Sequence, residues 1–171
     1  MNDYFNQASC TVDGLLNLKI DGLGKATALK MKALYTLFSR PKIKDIESIK
    51  NSAEMYDYMK GNLLNLDHEE VWFVLMDNAN HPFKKVCHSK GGLALSVIDV
   101  KMIMKDALES GRCCSLAMAH NHPSGSLKPS QQDITSTNKV KEACKYFDIR
   151  FLDHIIVGND EFYSFNDNCM L

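Results

Sequence analysis

Hydrophobic positions change period several times along this chain, and each change marks an element. Val71-Trp72-Phe73-Val74-Leu75-Met76 is an unbroken apolar run, the pattern of a strand buried on both faces. Asn78-Ala79-Asn80-His81-Pro82 follows as a turn, and residues 83–87 read as a paired strand. Val100, Ile103, Met104, Ala107 and Leu108 then recur at i, i+3, i+4, i+7 and i+8, the stripe of an amphipathic helix, which Gly111 ends. Residues 114–119 form a second short apolar run and a second buried strand. A helix opens at Ser130, with Val140, Ala143, Cys144 and Phe147 as its buried stripe. Residues 150–157 read as another strand, and 161–165 as a short last one. Ahead of all of these, residues 53–64 read as a helix. Strands alternating with helices around one sheet predict an α/β fold, a mixed sheet flanked by helices.

The N-terminal part has a different pattern. Residues 1–15 carry no clear signal. Residues 16–26 read as helix, Gly22-Leu23-Gly24 turn and helix, and residues 26–40 carry apolar side chains at 29, 33, 34, 37 and 38. This predicts a small helical hairpin. Residues 41–52 begin with Pro41 and are polar, as expected of a linker. The expected organisation is therefore an N-terminal segment over 1–44, a linker and helix over 45–64, and a main domain over 65–171.

Composition sets broad bounds. The 171 residues are 45% hydrophobic and 24% charged, ordinary for a globular chain with one good core. A net charge of −1 gives no overall attraction to nucleic acid, so any such attraction must be local. Between Lys19 and Lys44, seven basic residues (Lys19, Lys25, Lys30, Lys32, Arg40, Lys42, Lys44) stand against one acid, Asp21, which is such a local patch. No apolar run of 18 residues and no signal-peptide pattern occurs, so a soluble, cytoplasmic protein without membrane contact is expected. The six cysteines (10, 87, 113, 114, 144, 169) form no Cys-x-x-Cys pair. Several lie in apolar segments, so most read as buried thiols of a reducing compartment.

The chemistry gathers at His120-Asn121-His122-Pro123-Ser124-Gly125, followed by Pro129-Ser130-Gln131-Gln132-Asp133. His120 and His122 lie two apart at the end of a strand, so their side chains share a face. Pro123, Gly125 and Pro129 hold the next segment out of regular structure. Asp133 falls in the first turn of the following helix, which can swing its carboxylate back towards the histidines. Two histidines and one aspartate leave a fourth position for water, the arrangement of a catalytic zinc site. Ser130-x-x-Asp133 is also a capping box, in which both side chains serve the helix start. A zinc hydrolase needs a base as well, and Glu69 and Glu70 stand at the head of the Val71–Met76 run. Strand alternation sends these two to opposite faces. His154 opens an apolar strand and reads as a hydrogen-bonding residue rather than a ligand.

His-x-His-Pro, with seven residues between the second His and a Ser-x-x-Asp, resembles the JAMM (JAB/MPN) metalloprotease motif. The longer string His-Asn-His-Pro-Ser-Gly, with Leu152-Asp153-His154-Ile155-Ile156-Val157-Gly158 downstream, resembles the RadC family over residues of about 15 to 165. The resemblance implies a JAB/MPN fold, akin to the cytidine deaminase architecture. It implies one zinc per chain on His120, His122 and Asp133. It implies Glu69 as the acid/base, because RadC-like sequences place a glutamate eight residues before the residue that closes the strand, here Asp77. Ser130 would donate to the oxyanion on an attacked carbonyl. Ile20-Asp21-Gly22-Leu23-Gly24-Lys25-Ala26 is similar to a helix-hairpin-helix hairpin, here little more than one hairpin long. It implies DNA contact through Gly22, Gly24 and Lys25, where backbone N–H groups meet a phosphate.

The expected function is a RadC-like metal-dependent hydrolase of amide or peptide bonds, with a peptide or protein as substrate. The alternative is a DNA-repair or recombination factor whose JAB domain is an interaction scaffold. A nucleobase deaminase shares the architecture, but its signature, His-x-Glu followed by Pro-Cys-x-x-Cys, is absent, because no Pro-Cys-x-x-Cys occurs. The chain departs from RadC-like sequences at one place, with Asp99-Val100-Lys101-Met102-Ile103 where they commonly carry His-Pro-Arg-Glu-Val.

Overall fold

A computed structural model describes residues 47–91 and 98–171, together with Thr27 and Lys30. Gly22, Gly24 and Lys25 of the N-terminal hairpin lie outside the described residues. The chain divides into two compact units, Met1–Lys42 and Ile43–Leu171, and the elements below belong to the second.

Helix α1 (Ser52–Leu63) comes first, then strands β1 (Glu70–Met76) and β2 (Pro82–Lys90). Helix α2 (Val100–Glu109), strand β3 (Ser115–Asn121), helix α3 (Gln131–Tyr146) and strands β4 (Arg150–Val157) and β5 (Phe162–Ser164) follow. The strands form one mixed sheet in the order β2-β1-β3-β4-β5. β1 is antiparallel to both β2 and β3, β3 is parallel to β4, and β4 is antiparallel to β5. The single parallel pair needs a crossover, and α3 supplies it. The α/β class read from the sequence therefore holds.

Both faces of the sheet are covered. On one, Val71, Phe73, Leu75, Leu116 and Met118 pack against Ile103, Met104 and Ala107 of α2 and Val140 and Cys144 of α3. On the other, Val74, Met76, Ala117, Ala119, Ile155 and Val157 pack against Met55, Met59 and Leu63 of α1. This explains the unbroken apolar run in β1, since successive side chains enter opposite cores. Each large side chain fully buried here contributes about 1.5–3 kcal/mol. The helices begin where capping side chains stand: Asn51 accepts from Glu54 N, and Asp99 accepts from Lys101 N.

Two stripe positions differ from the sequence expectation. Leu108 is 52% exposed and Phe147 47% exposed. Phe147 is the C-cap of α3, with φ −109° and ψ 14°, so it has left the helical register. Leu108 lies beside the sheet-facing trio of Ile103, Met104 and Ala107, on the flank of α2. Both side chains line a shallow apolar groove between α2 and α3.

Candidate metal centre

The register of β3 sets the direction of the site. In the antiparallel ladder Val71 faces His120 and Trp72 faces Ala119, and paired residues share a face. His120 therefore points to the α3 side, with Phe73 and Met118. His122 follows the strand, anchored by its N–H to Val157 O at 3.0 Å. The chain then turns, with Gly125 N donating to His122 O at 2.9 Å and Gly125 at φ +75°. Ser130 caps α3: its hydroxyl accepts from Asp133 N at 3.1 Å, and Asp133 Oδ2 accepts from Ser130 N at 2.6 Å. The capping box thus aims the Asp133 carboxylate at the histidines. Capping and convergence are one geometry, not alternatives.

One ligand atom each from His120, His122 and Asp133 lies within 4.8 Å of the others. His120 Nε2 is 3.0 Å from His122 Nε2 and 3.4 Å from Asp133 Oδ1, and His122 Nε2 is 3.7 Å from Asp133 Oδ2. Zinc bonds of about 2.0–2.2 Å in a tetrahedral shell place ligand atoms about 3.3 Å apart, which these separations bracket. Asp133 Oδ1 is buried without a hydrogen-bond partner, and an unsatisfied buried oxygen is costly. His122 Nδ1 is engaged by Ser126 O at 2.6 Å, a contact that requires the proton on Nδ1. Its Nε2 is then the free lone pair. The donor set and the orphaned oxygen fit a bound metal ion.

The electrostatics match. Burial pushes the fully enclosed His120 imidazole down to about 3, against the pull of Asp133. Burial opposes ionisation of Asp133, but His122, His120 and the Ser130 cap outweigh it and hold the carboxyl well below the usual carboxylate range. The Asp133 carboxylate raises His122, with desolvation working against it. The cluster is a neutral imidazole and an ionised carboxylate beside a more basic imidazole.

The other candidate residues separate. Glu69 immediately precedes β1, half-buried, and its charge acts on His122. Its carbonyl accepts from Gly91 N at 2.8 Å. Glu70 is buried and held by Trp72 Nε1 at 2.8 Å, His68 Nε2 at 3.0 Å and Lys90 Nζ at 3.1 Å. Ser130 is exposed at the head of α3. Asp99, within the divergent Asp99–Ile103 stretch, caps α2. Three buried residues around the cluster were not singled out by sequence as parts of it. Thr137 and His154 form a chain behind His120, and Asn121 binds the backbone at and just ahead of the start of β1. Thr137 meets His154 across 17 positions, His154 meets His120 across 34 and Asn121 meets Glu70 across 51, and nothing local signals these contacts.

The fold and cluster define an α/β domain with a His-His-Asp group at the mouth of its central strands. Residues 49–170 match the sequence pattern of the RadC-like JAB domain. A UPF0758 protein of Flavobacterium johnsoniae is 37% identical over 153 residues, 88% of this chain and 66% of that protein. A UPF0758 protein of Porphyromonas gingivalis is 33% identical over 168 residues, 96% of this chain and 73% of that protein. One of Haemophilus influenzae is 36% identical over 169 residues, again 96% of this chain and 72% of that protein. The chain belongs to the RadC family, and its match spans about two thirds of the length of the Flavobacterium protein. Among the described residues, no helix is long and apolar enough to cross a membrane.

Proposed function

We propose that this chain is a metal-dependent hydrolase that cleaves amide bonds in a peptide or protein, with zinc held by His120, His122 and Asp133. The observation that carries the reading is the orphaned Asp133 Oδ1 beside two imidazole Nε2 atoms at 3.0 Å separation. When bound, zinc polarises the scissile carbonyl and makes water a nucleophile at neutral pH.

Glu69 is the acid/base. Extending the β1–β3 register by two residues sets Glu69 opposite His122, and both share the face of Val71 and His120. Glu70 pairs with the opposite face, where its carboxylate is occupied by three donors. Glu69 takes a proton from the attacking water as the C–O bond forms. It returns that proton to the amide nitrogen as the C–N bond breaks, so the products are a carboxylic acid and an amine. The Ser130 lone pair caps Asp133 N, and its O–H, a separate part of the same group, would turn to donate to the developing oxyanion.

The test uses the full chain purified without chelator. About one zinc per chain is expected, and its loss in His122→Ala. Peptidase and nuclease substrates are screened with wild type and Glu69→Gln. Amide cleavage should fall by about 10²–10⁴-fold in Glu69→Gln at unchanged zinc content. Stoichiometric zinc persisting in His122→Ala would remove the site. Zinc without cleavage that depends on Glu69 would instead favour a DNA-repair scaffold. DNA contact through Gly22, Gly24 and Lys25 belongs to that second reading.

A further inference from the structure

Behind His120, on the side away from His122, lies a chain of buried hydrogen bonds. His120 Nδ1 is 2.7 Å from His154 Nε2. His154 Nδ1 is 2.6 Å from Thr137 Oγ1, and Thr137 Oγ1 is 2.6 Å from the carbonyl oxygen of Asp133. His120 and His154 are fully buried and Thr137 is 1% exposed. The chain begins on one residue of the metal cluster and ends on the backbone of another.

The direction of every proton in this chain follows from its last link. Two oxygens 2.6 Å apart need a hydrogen between them, and a backbone carbonyl has none. The single Thr137 hydroxyl proton is therefore committed to Asp133 O. Thr137 Oγ1 can then only accept from the ring, so His154 carries its proton on Nδ1. A neutral imidazole has one N–H, which leaves His154 Nε2 as an acceptor. His120 must supply the proton of the next bond from its own Nδ1. The Nε2 lone pair of His120 is thereby left facing His122 and Asp133. Reversing any one link would set two lone pairs or two protons against each other. Both rings are fully buried and face no carboxylate along this chain of hydrogen bonds, an environment that favours the neutral imidazole. Phe165 stacks on His154 at 4.6 Å and 14°, which fixes its ring plane.

We propose that Thr137 and His154 are positioning residues that fix His120 as its Nδ1–H tautomer and so turn its Nε2 lone pair towards His122 and Asp133. A hydroxyl-to-carbonyl bond inside a helix is common on its own. Here the same hydroxyl accepts from a buried ring, and that ring orients a second ring. Partners of this kind behind a ligating histidine commonly contribute 10–100-fold in metal affinity. The proposal rests on the metal reading for its consequence, but the tautomer can be read in metal-free protein.

The experiment compares the full chain with Thr137→Ser and Thr137→Val. Long-range ¹H–¹⁵N correlation of the imidazoles reads the tautomers, and competition with a chromophoric chelator reads zinc affinity. Wild type and Thr137→Ser should show Nδ1–H on both His120 and His154. Thr137→Val removes the acceptor for His154 Nδ1–H. Both rings should switch to Nε2–H, and zinc should bind about 10–100-fold more weakly. An Nε2–H tautomer of His120 in the wild type would overturn the proposal. So would wild-type tautomers and affinity in a folded Thr137→Val. If Thr137→Val does not fold, wild type and Thr137→Ser still decide the tautomers. Nδ1–H on both rings without zinc uptake would sink the metal reading while the positioning chain stands.

Discussion

The side chain of Asn121 holds the backbone of Glu70. Its Oδ1 accepts from Glu70 N at 2.8 Å, and its Nδ2 donates to His68 O at 2.8 Å. Asn121 stands between the two histidines in sequence but on the opposite face of the sheet. It thus couples the β3 end that carries the histidines to the segment 68–70 that carries Glu69.

Asn121→Leu should therefore uncouple Glu69 from the His-His-Asp cluster. The substitution leaves the Glu70 N–H and the His68 carbonyl without these partners, a cost of about 1–3 kcal/mol each where no water reaches them. Neither histidine nor Asp133 is touched, so zinc affinity should stay within a few-fold of wild type. Turnover should fall with Glu69 displaced. Chelator competition and steady-state rates separate the two effects. Equal losses in both would show that Asn121 supports the cluster itself.

Much of this arrangement was legible in the sequence because it is local. The apolar runs of β1 and β3, the helical period of α2 and the Ser130–Asp133 cap all depend on residues a few positions apart. So does the likeness of the His-Asn-His-Pro-Ser-Gly string to RadC sequences. The strand order could not be read, because pairing of β1 with β3 is a contact between distant segments. Asn121, Thr137 and His154 stayed unassigned to the cluster for the same reason. An asparagine between two histidines and a threonine inside a helix are common, and only the folded sheet brings His154 to Thr137 and the segment 68–70 to Asn121. Leu108 and Phe147 fit the helical period, yet the sheet covers only the centre of the predicted stripe.

Glu70 should reveal itself in stability rather than catalysis. Burial penalises its charge, but Trp72, Lys90 and His68 outweigh that and hold the carboxyl below its ordinary value of 4.5. A carboxylate with a depressed folded-state pKa stabilises the fold fully above the unfolded value. That contribution is lost as pH falls through the folded value. Glu70→Gln should lower stability near pH 7 by an amount on the order of 1–3 kcal/mol. The gap to wild type should narrow as pH drops below about 4.5. Thermal melts at several pH values read this directly. A gap that does not change with pH would mean that the carboxylate's charge contributes nothing to the fold.

The loop that follows His122 depends on a close approach of two glycines. A Cβ on Gly158 would lie 2.8 Å from Gly125 O and 2.8 Å from Leu127 Cδ2. The first of these is backbone and cannot swing aside as a side chain would. Gly158 lies just beyond β4, and the preceding Val157 accepts the His122 N–H. Gly125 and Leu127 close on this spot, and Ser126 between them meets His122 Nδ1 with its carbonyl oxygen. Gly158→Ala should push that loop outward and release the His122 ring. Overpacking of this kind costs about 1–3 kcal/mol. Lost support behind a ligating histidine should weaken zinc by about 10-fold or more. Gly111→Ala serves as the control. Gly111 has φ +64°, and no atom lies within 4 Å of an added Cβ. The control should carry backbone strain of about 1–2 kcal/mol with zinc affinity unchanged. If both variants keep wild-type affinity, the loop yields without moving His122, and the Ser126 contact does not hold the ring.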